Sequence, residues 1–205
     1  MEKFDPDRSG IMNVMNSCAK SRNTVKRIVL TSSSTAIRYR FDATQVSPLN
    51  ESHWTDLEYC KHFKIWYGYA KTLGEKEAWK MAAEKKLNLV VVIPTFCIGA
   101  RGRYPNFRGG FVHIDDAVAA QILAMEEPKA SGIILCSSSV AHWSEIIEML
   151  RIKYPFETKC GSEEGRDMPH SLDTTKIQQL GFTSFKSLPE MFDDCIKCFQ
   201  DKGLL

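Results

Sequence analysis

The sequence predicts an α/β fold, with a parallel sheet packed between helices and a helical carboxyl-terminal lobe. Three stretches carry that prediction. Val25–Ser34, "VKRIVLTSSS", is an apolar run ending in a small polar turn, the pattern of a buried strand. Leu87–Pro94, "LNLVVVIP", is apolar almost throughout, as in parallel strands covered on both faces. Between them, from about Trp66 to Lys86, the stripe Ala70, Leu73/Gly74, Ala78, Met81/Ala82 keeps helical spacing, and its small residues would let the helix approach a sheet. Strand, helix, strand in that order is a βαβ unit.

The remaining elements follow in order. Asp5-Pro6 opens a helix whose apolar face is Ile11, Val14, Met15 and Cys18. Residues 38–63 hold no sustained period and read as a loop with short elements. Gly99–Gly110 is a loop rich in glycine and arginine, followed by a short helix over Asp116–Met125 and a strand over Gly132–Ser138. Helices are expected to start near Ser139, Asp173 and Ser187. Ser187 and Glu190 have capping-box spacing, and Gly181 ends the helix before them. No repeat or low-complexity segment interrupts this order.

Composition narrows the function. A chain of 205 residues is one domain, or one domain with an appended lobe. The net charge of +2, with its basic residues dispersed, gives no footprint for nucleic acid. Charges interrupt the first twenty residues, so no secretory signal is expected. The longest apolar run, Leu89–Pro94, is too short for a membrane span. Seven irregularly spaced cysteines without a signal point to reduced thiols in the cytoplasm. Cys195 and Cys198 lie in a helical pattern with no second pair, so they read as structural thiols and no metal is expected.

Chemistry concentrates near the first strand–helix–strand unit. Tyr67 and Lys71 are four residues apart and share a helix face. An ammonium beside a phenol favours the phenolate, which makes a tyrosine usable as a proton donor and acceptor. Alone, the pair is weak evidence. Ser32–Ser34 and Pro94–Cys97, however, both fall at carboxyl ends of strands, where active-site groups of parallel sheets collect. A serine there can hold a substrate carbonyl while the tyrosine delivers a proton.

Several stretches together resemble a known family. "VKRIVLTSSSTA", "ESHWTDLEYC", "WYGYAKTLGEKEAW", "NLVVVIPTFCIG" and "GGFVHIDDAVAA" are similar to the extended short-chain dehydrogenase/reductases of plants, in the branch of dihydroflavonol and cinnamoyl-CoA reductases. The carboxyl-terminal stretches "SSSVAHWSEIIEMLRIKYP", "GRDMPHSLDTTKIQQLGF" and "FKSLPEMFDDCIKCFQDKGLL" resemble the tetraketide α-pyrone reductases, which make hydroxylated polyketide precursors of the pollen wall. The resemblance implies a doubly wound, Rossmann-like sheet and an NADPH-dependent reduction of a small-molecule carbonyl. It assigns Ser33, Tyr67 and Lys71 as the catalytic residues. It further implies that Tyr67, Lys71, Pro94, Thr95, Phe96 and Cys97 contact the cofactor. In the family, His113, Asp115 and Asp116 mark a landmark segment, which reads here as a helix start with favourable carboxylates.

The family pattern is also broken. None of the twelve glycines forms the strand–loop–helix motif that cradles a pyrophosphate. A partial fold is therefore expected, lacking its first βαβ half and shortened between "IGARG" and "YPNFRGG". Residues 1–100 would then carry the second half of the dinucleotide-binding domain, and 101–205 the remaining sheet segment and the substrate lobe. Two other readings stand beside the reductase. One is a non-catalytic form that is inert or acts by pairing with a full-length relative through the exposed edge of Val25–Thr31. The other is a nucleotide-sugar epimerase or dehydratase, which shares the tyrosine–lysine pair but not "ESHWTDLEYC" or the carboxyl-terminal stretches.

Overall fold

The computed structural model describes residues 6–97, 108–154 and 163–204. Its central sheet has three parallel strands in the order β1-β2-β5: β1 is Ile28–Thr31, β2 Leu89–Pro94 and β5 Gly132–Cys136. β2 lies in the middle and Leu89 through Ile93 are all buried, as a strand covered on both faces requires. Side chains alternate between the faces. Leu89, Val91 and Ile93 pack with Met15 of α1 (Pro6–Lys20) and with Ala78, Met81 and Ala82 of α4 (Trp66–Lys85). Val90 and Val92 pack with Ala117, Ala120 and Ala124 of α5 (Ile114–Glu126). This is the layering of one half of a doubly wound sheet.

Residues 38–63, expected as a loop with short elements, hold the six-residue helix α3 (Leu57–His62), and a shorter helix, α2 (Thr35–Arg38), leads into them. β1 is half-buried at the sheet edge, as expected for Val25–Thr31. Its start is tied to α5: the Arg27 guanidinium donates to the carbonyls of Ala124 (3.0 Å) and Glu127 (2.7 Å), which would otherwise end the helix unpaired.

Of the expected stripe on α4, Gly74, Ala78, Met81 and Ala82 are buried while Ala70 and Leu73 are half-buried, and part of the purpose of the small residues differs. A Cβ on Gly74 would come within 2.8 Å of Ile11, and one on Gly68 within 2.9 Å of the Tyr39 ring. Those two glycines admit α1 and the chain after α2, while Ala78 and Ala82 face the sheet cluster. On α1 the expected apolar face is turned: Met15 is buried, and Val14 is 60% exposed.

The larger correction is a second sheet. β3 (Phe96–Cys97), β4 (Arg108–Val112) and β6 (Ser139–His142) form a mixed sheet in the order β3-β4-β6, with β4 and β6 antiparallel. Arg108–Gly110, expected to end a loop, therefore begins a strand; residues 98–107 lie outside the described residues. Ser139 likewise starts a strand and not a helix. The helix begins at Trp143, where the His142 ring and Glu145 form a capping box, and it runs to Lys153 as α6. Its four preceding residues are claimed by ladder bonds to β4, a long-range pairing that local spacing cannot display. Thr175–Gln179 (α7), ending before Gly181, and Leu188–Asp201 (α8) match expectation, and Ser187 and Glu190 form the expected box. Phe111, Ala141, Ile146 and Met191 make the core of this lobe.

Because Ile93 is fully buried between β1 and β5, Ile93→Ala should lower unfolding stability by about 2–5 kcal/mol. Urea denaturation at neutral pH measures this.

Candidate active site

The carboxyl ends of β1, β2 and β5 point the same way, and hydrogen bonds join the expected site segments there. The ladder continues past β1, with the Ser32 amide donating to the Val92 carbonyl at 2.8 Å and the Ser34 amide donating to that of Pro94 at 3.1 Å. Ser33, between them, is half-buried, and its hydroxyl accepts from the Thr35 amide at 3.3 Å, where α2 begins. Lys71 reaches the same place from α4, its ammonium donating to the Thr31 carbonyl at 3.4 Å. Tyr67 stands one helical turn before Lys71, in the first turn of α4, and is 59% exposed. The site thus opens to solvent on its tyrosine side.

Pro94–Cys97 carries the chain on from the end of β2. Thr95 is buried, with its amide on the Cys136 carbonyl (3.1 Å) and its hydroxyl on that of Ser137 (3.2 Å). Gly110 packs against it so tightly that a Cβ would lie 2.6 Å from the Thr95 methyl. Phe96 and Cys97 are half-buried. Burial pushes the Cys97 thiol up, and it pushes the Cys136 thiol up to about 12, so both stay protonated. Neither has the electropositive setting of a reactive thiolate.

His113 and its neighbours do structural work, as expected. The His113 ring caps α5 by accepting from the Asp115 amide at 3.0 Å. Asp116 accepts from the Lys186 amide at 2.8 Å, and the Lys186 ammonium bridges Asp115 (2.8 Å) and Asp194 (3.0 Å). The segment fastens α5 to the entry of α8. Cys195 and Cys198 lie on α8, half-buried and exposed respectively. Among the described residues, no group of three or more His, Cys, Asp or Glu side chains could hold a metal, and no helix is long and apolar enough to cross a membrane.

Two features were not read from the sequence. One is Glu75, a carboxyl buried in α4 one turn beyond Lys71; the shared spacing of Tyr67, Lys71 and Glu75 was the available signal. The other is a basic cluster. Arg38, ending α2, donates to the Arg108 carbonyl at 2.7 Å, while Arg108 pairs with Glu145 at 2.7 Å. His170 lies near enough to both arginines for their charges to act on it. No local pattern links residues 38, 108 and 170, so only the fold could bring them together.

The architecture defines a class: a nucleotide-binding type of α/β sheet with polar residues at the carboxyl ends of its parallel strands. No family model matches the chain. It is 64% identical to tetraketide α-pyrone reductase 2 of Arabidopsis thaliana, over 98% of this chain and 70% of that protein. It is 38% identical to tetraketide α-pyrone reductase 1 of the same plant, over 100% of this chain and 69% of the relative. Vestitone reductase from alfalfa superposes with a TM-score of 0.82 at 28% identity, over 98% of this chain and 73% of that one. The chain belongs to the extended short-chain dehydrogenase/reductases, in the branch that holds the tetraketide α-pyrone, cinnamoyl-CoA and dihydroflavonol reductases. The first of these alignments runs over 224 positions, more than the 205 residues of the chain, so that relative carries residues with no counterpart here.

Burial, with the Arg38 and Arg108 charges beside it, pushes His170 down to about 4. Since its folded value lies below the unfolded one, the fold gains stability above about pH 6.5 and loses it as the pH falls toward 4. The loss attached to His170 is expected to be on the order of 2 kcal/mol. His170→Gln should flatten the stability profile across that window, as read by thermal melts at successive pH values.

Proposed function

We propose that this chain reduces a ketone on a polyketide α-pyrone or a related phenylpropanoid or polyketide substrate, with NADPH as the source of hydride. The observation that carries the reading is the convergence of three segments at one sheet end: Lys71 on the Thr31 carbonyl, Ser34 on the Pro94 carbonyl, and Ser33 between them. The names of the relatives supply the substrate class. A role in sporopollenin precursors, in the cytoplasm, is the matching biological expectation.

The chain's residues divide the work. The Ser33 hydroxyl, whose oxygen accepts from the Thr35 amide and whose hydrogen is left to donate, donates to the substrate carbonyl oxygen and fixes the carbon that is to be reduced. Tyr67 gives its phenolic proton to the oxygen as that oxygen becomes an alkoxide, and solvent on its exposed side restores the proton. Lys71 keeps a positive charge beside this transfer, favouring the phenolate that Tyr67 leaves behind. NADPH supplies the hydride. Exposed Tyr67 and half-buried Lys71 would hold its nicotinamide and ribose end, together with the Pro94–Cys97 stretch at the neighbouring strand end. The pyrophosphate end is another matter: the strand-to-helix turns at Ser32–Ser34 and at His113 hold no glycine, so no described turn fits that group. In this reading residues 1–100 hold the acid–base site and 101–205 the remaining sheet segment and substrate lobe. The outer edge of β1 is the surface through which pairing with a full-length relative would run.

Tyr67→Phe should cut turnover on the order of 10²- to 10⁴-fold by deleting the proton donor. Turnover equal to the parent would remove Tyr67 from the role. A fluorescence titration should also show NADPH bound more weakly than by a full-length relative. Equal affinity would mean that other residues hold the pyrophosphate.

A further inference from the structure

We propose that Glu75 is the positioning residue of this site: its buried carboxylate joins the serine-bearing strand end to the helix face of Tyr67 and Lys71 and serves as the counter-charge of Lys71. The inference rests on the reductase reading and deepens it. Glu75 is 1% exposed. One carboxylate oxygen accepts from the hydroxyl of Ser32, the residue before Ser33. The other accepts from the Trp79 indole at 3.3 Å. Ser32 is itself buried and lies in the ladder through the Val92 carbonyl. The contact therefore fixes how far the Ser33 hydroxyl stands from α4.

The chemistry of the partners favours a carboxylate over an amide. An indole N–H can only donate, and the serine hydroxyl donates to the second oxygen, so both sides call for acceptors. A glutamine could keep both contacts only by turning its oxygen to Trp79 and its amide to Ser32, which reverses the Ser32 hydrogen bond. A buried carboxylate is also a costly way to brace a strand against a helix. Burial pushes Glu75 above the usual carboxylate range, while Ser32, Trp79 and the Lys71 ammonium, one turn away, pull it back. Because its folded value is raised, Glu75 stabilises the fold in its protonated form, and that contribution is lost as the pH rises through the folded value. At neutral pH a neutral side chain of the same shape should then be no less stable. The costly charge is explained if Lys71 needs it.

Two measurements on the full chain test this. Trp79 reports the state of Glu75 directly, so the pH dependence of its fluorescence, taken as the difference from Trp79→Phe, needs no turnover. A transition is expected above the usual carboxylate range; it should vanish in Glu75→Gln and move to higher pH in Lys71→Met. A transition that Lys71→Met leaves in place would overturn the coupling. In steady-state assays Glu75→Gln should lose roughly tenfold or more in kcat, with KM held within about twofold and a melting temperature no lower than the parent. A variant with parental kcat, or one whose lost activity merely follows a lost melting temperature, would reduce Glu75 to a structural brace. If the fluorescence transition behaves as stated while neither form turns over, the Glu75–Lys71 coupling stands and it is the reductase reading that fails.

Discussion

β2 is the constraint on which the rest depends. A strand buried on both faces must be flanked by two strands and covered by two layers, and Leu89–Ile93 obtains this from β1, β5, α1, α4 and α5. Its carboxyl end is where the ladder stops and side chains take over. The Val92 and Pro94 carbonyls receive the Ser32 and Ser34 amides, and Thr95 turns the chain onto the Cys136 carbonyl. The positions of Ser33 and of the Pro94–Cys97 stretch are thus consequences of where one apolar strand ends. An error in packing β2 would be transmitted to the site without any site residue being touched.

α4 links that scaffold to the chemistry. One side of it packs Ala78, Met81 and Ala82 against the sheet, while Gly74 admits Ile11 of α1. Near its beginning, Tyr67 is exposed and Lys71 reaches the end of β1. The helix therefore changes from site to core within a few turns, and Glu75 sits at the changeover. A carboxyl at that boundary is desolvated by the core but still within reach of a site cation, which is where burial and charge compete most directly.

The stretches read correctly from the sequence are those whose shape follows from local spacing. The apolar run of β2, the helical period of α4 and the Ser187–Glu190 box each compete with few alternatives. Where long-range pairing decided the outcome, the reading failed. Ser139–His142 could have begun a helix, but Arg108–Phe111 takes it as a strand partner. Val14 had the right period for the core of α1 and yet faces solvent, because α4 and the sheet meet that helix along Ile11 and Met15.

The same division holds for the site. By itself the sequence determined the α/β class, the family, and the candidate set of Ser33, Tyr67, Lys71 and Pro94–Cys97, because residue type, order and spacing are properties of the chain. Only the tertiary structure decided that Lys71 meets the end of β1, that Glu75 is braced between Ser32 and Trp79, and that His170 lies beside Arg38 and Arg108. Those are contacts between residues distant in sequence or facts of burial. Their energies come from solvent excluded by elements that no local pattern places next to one another.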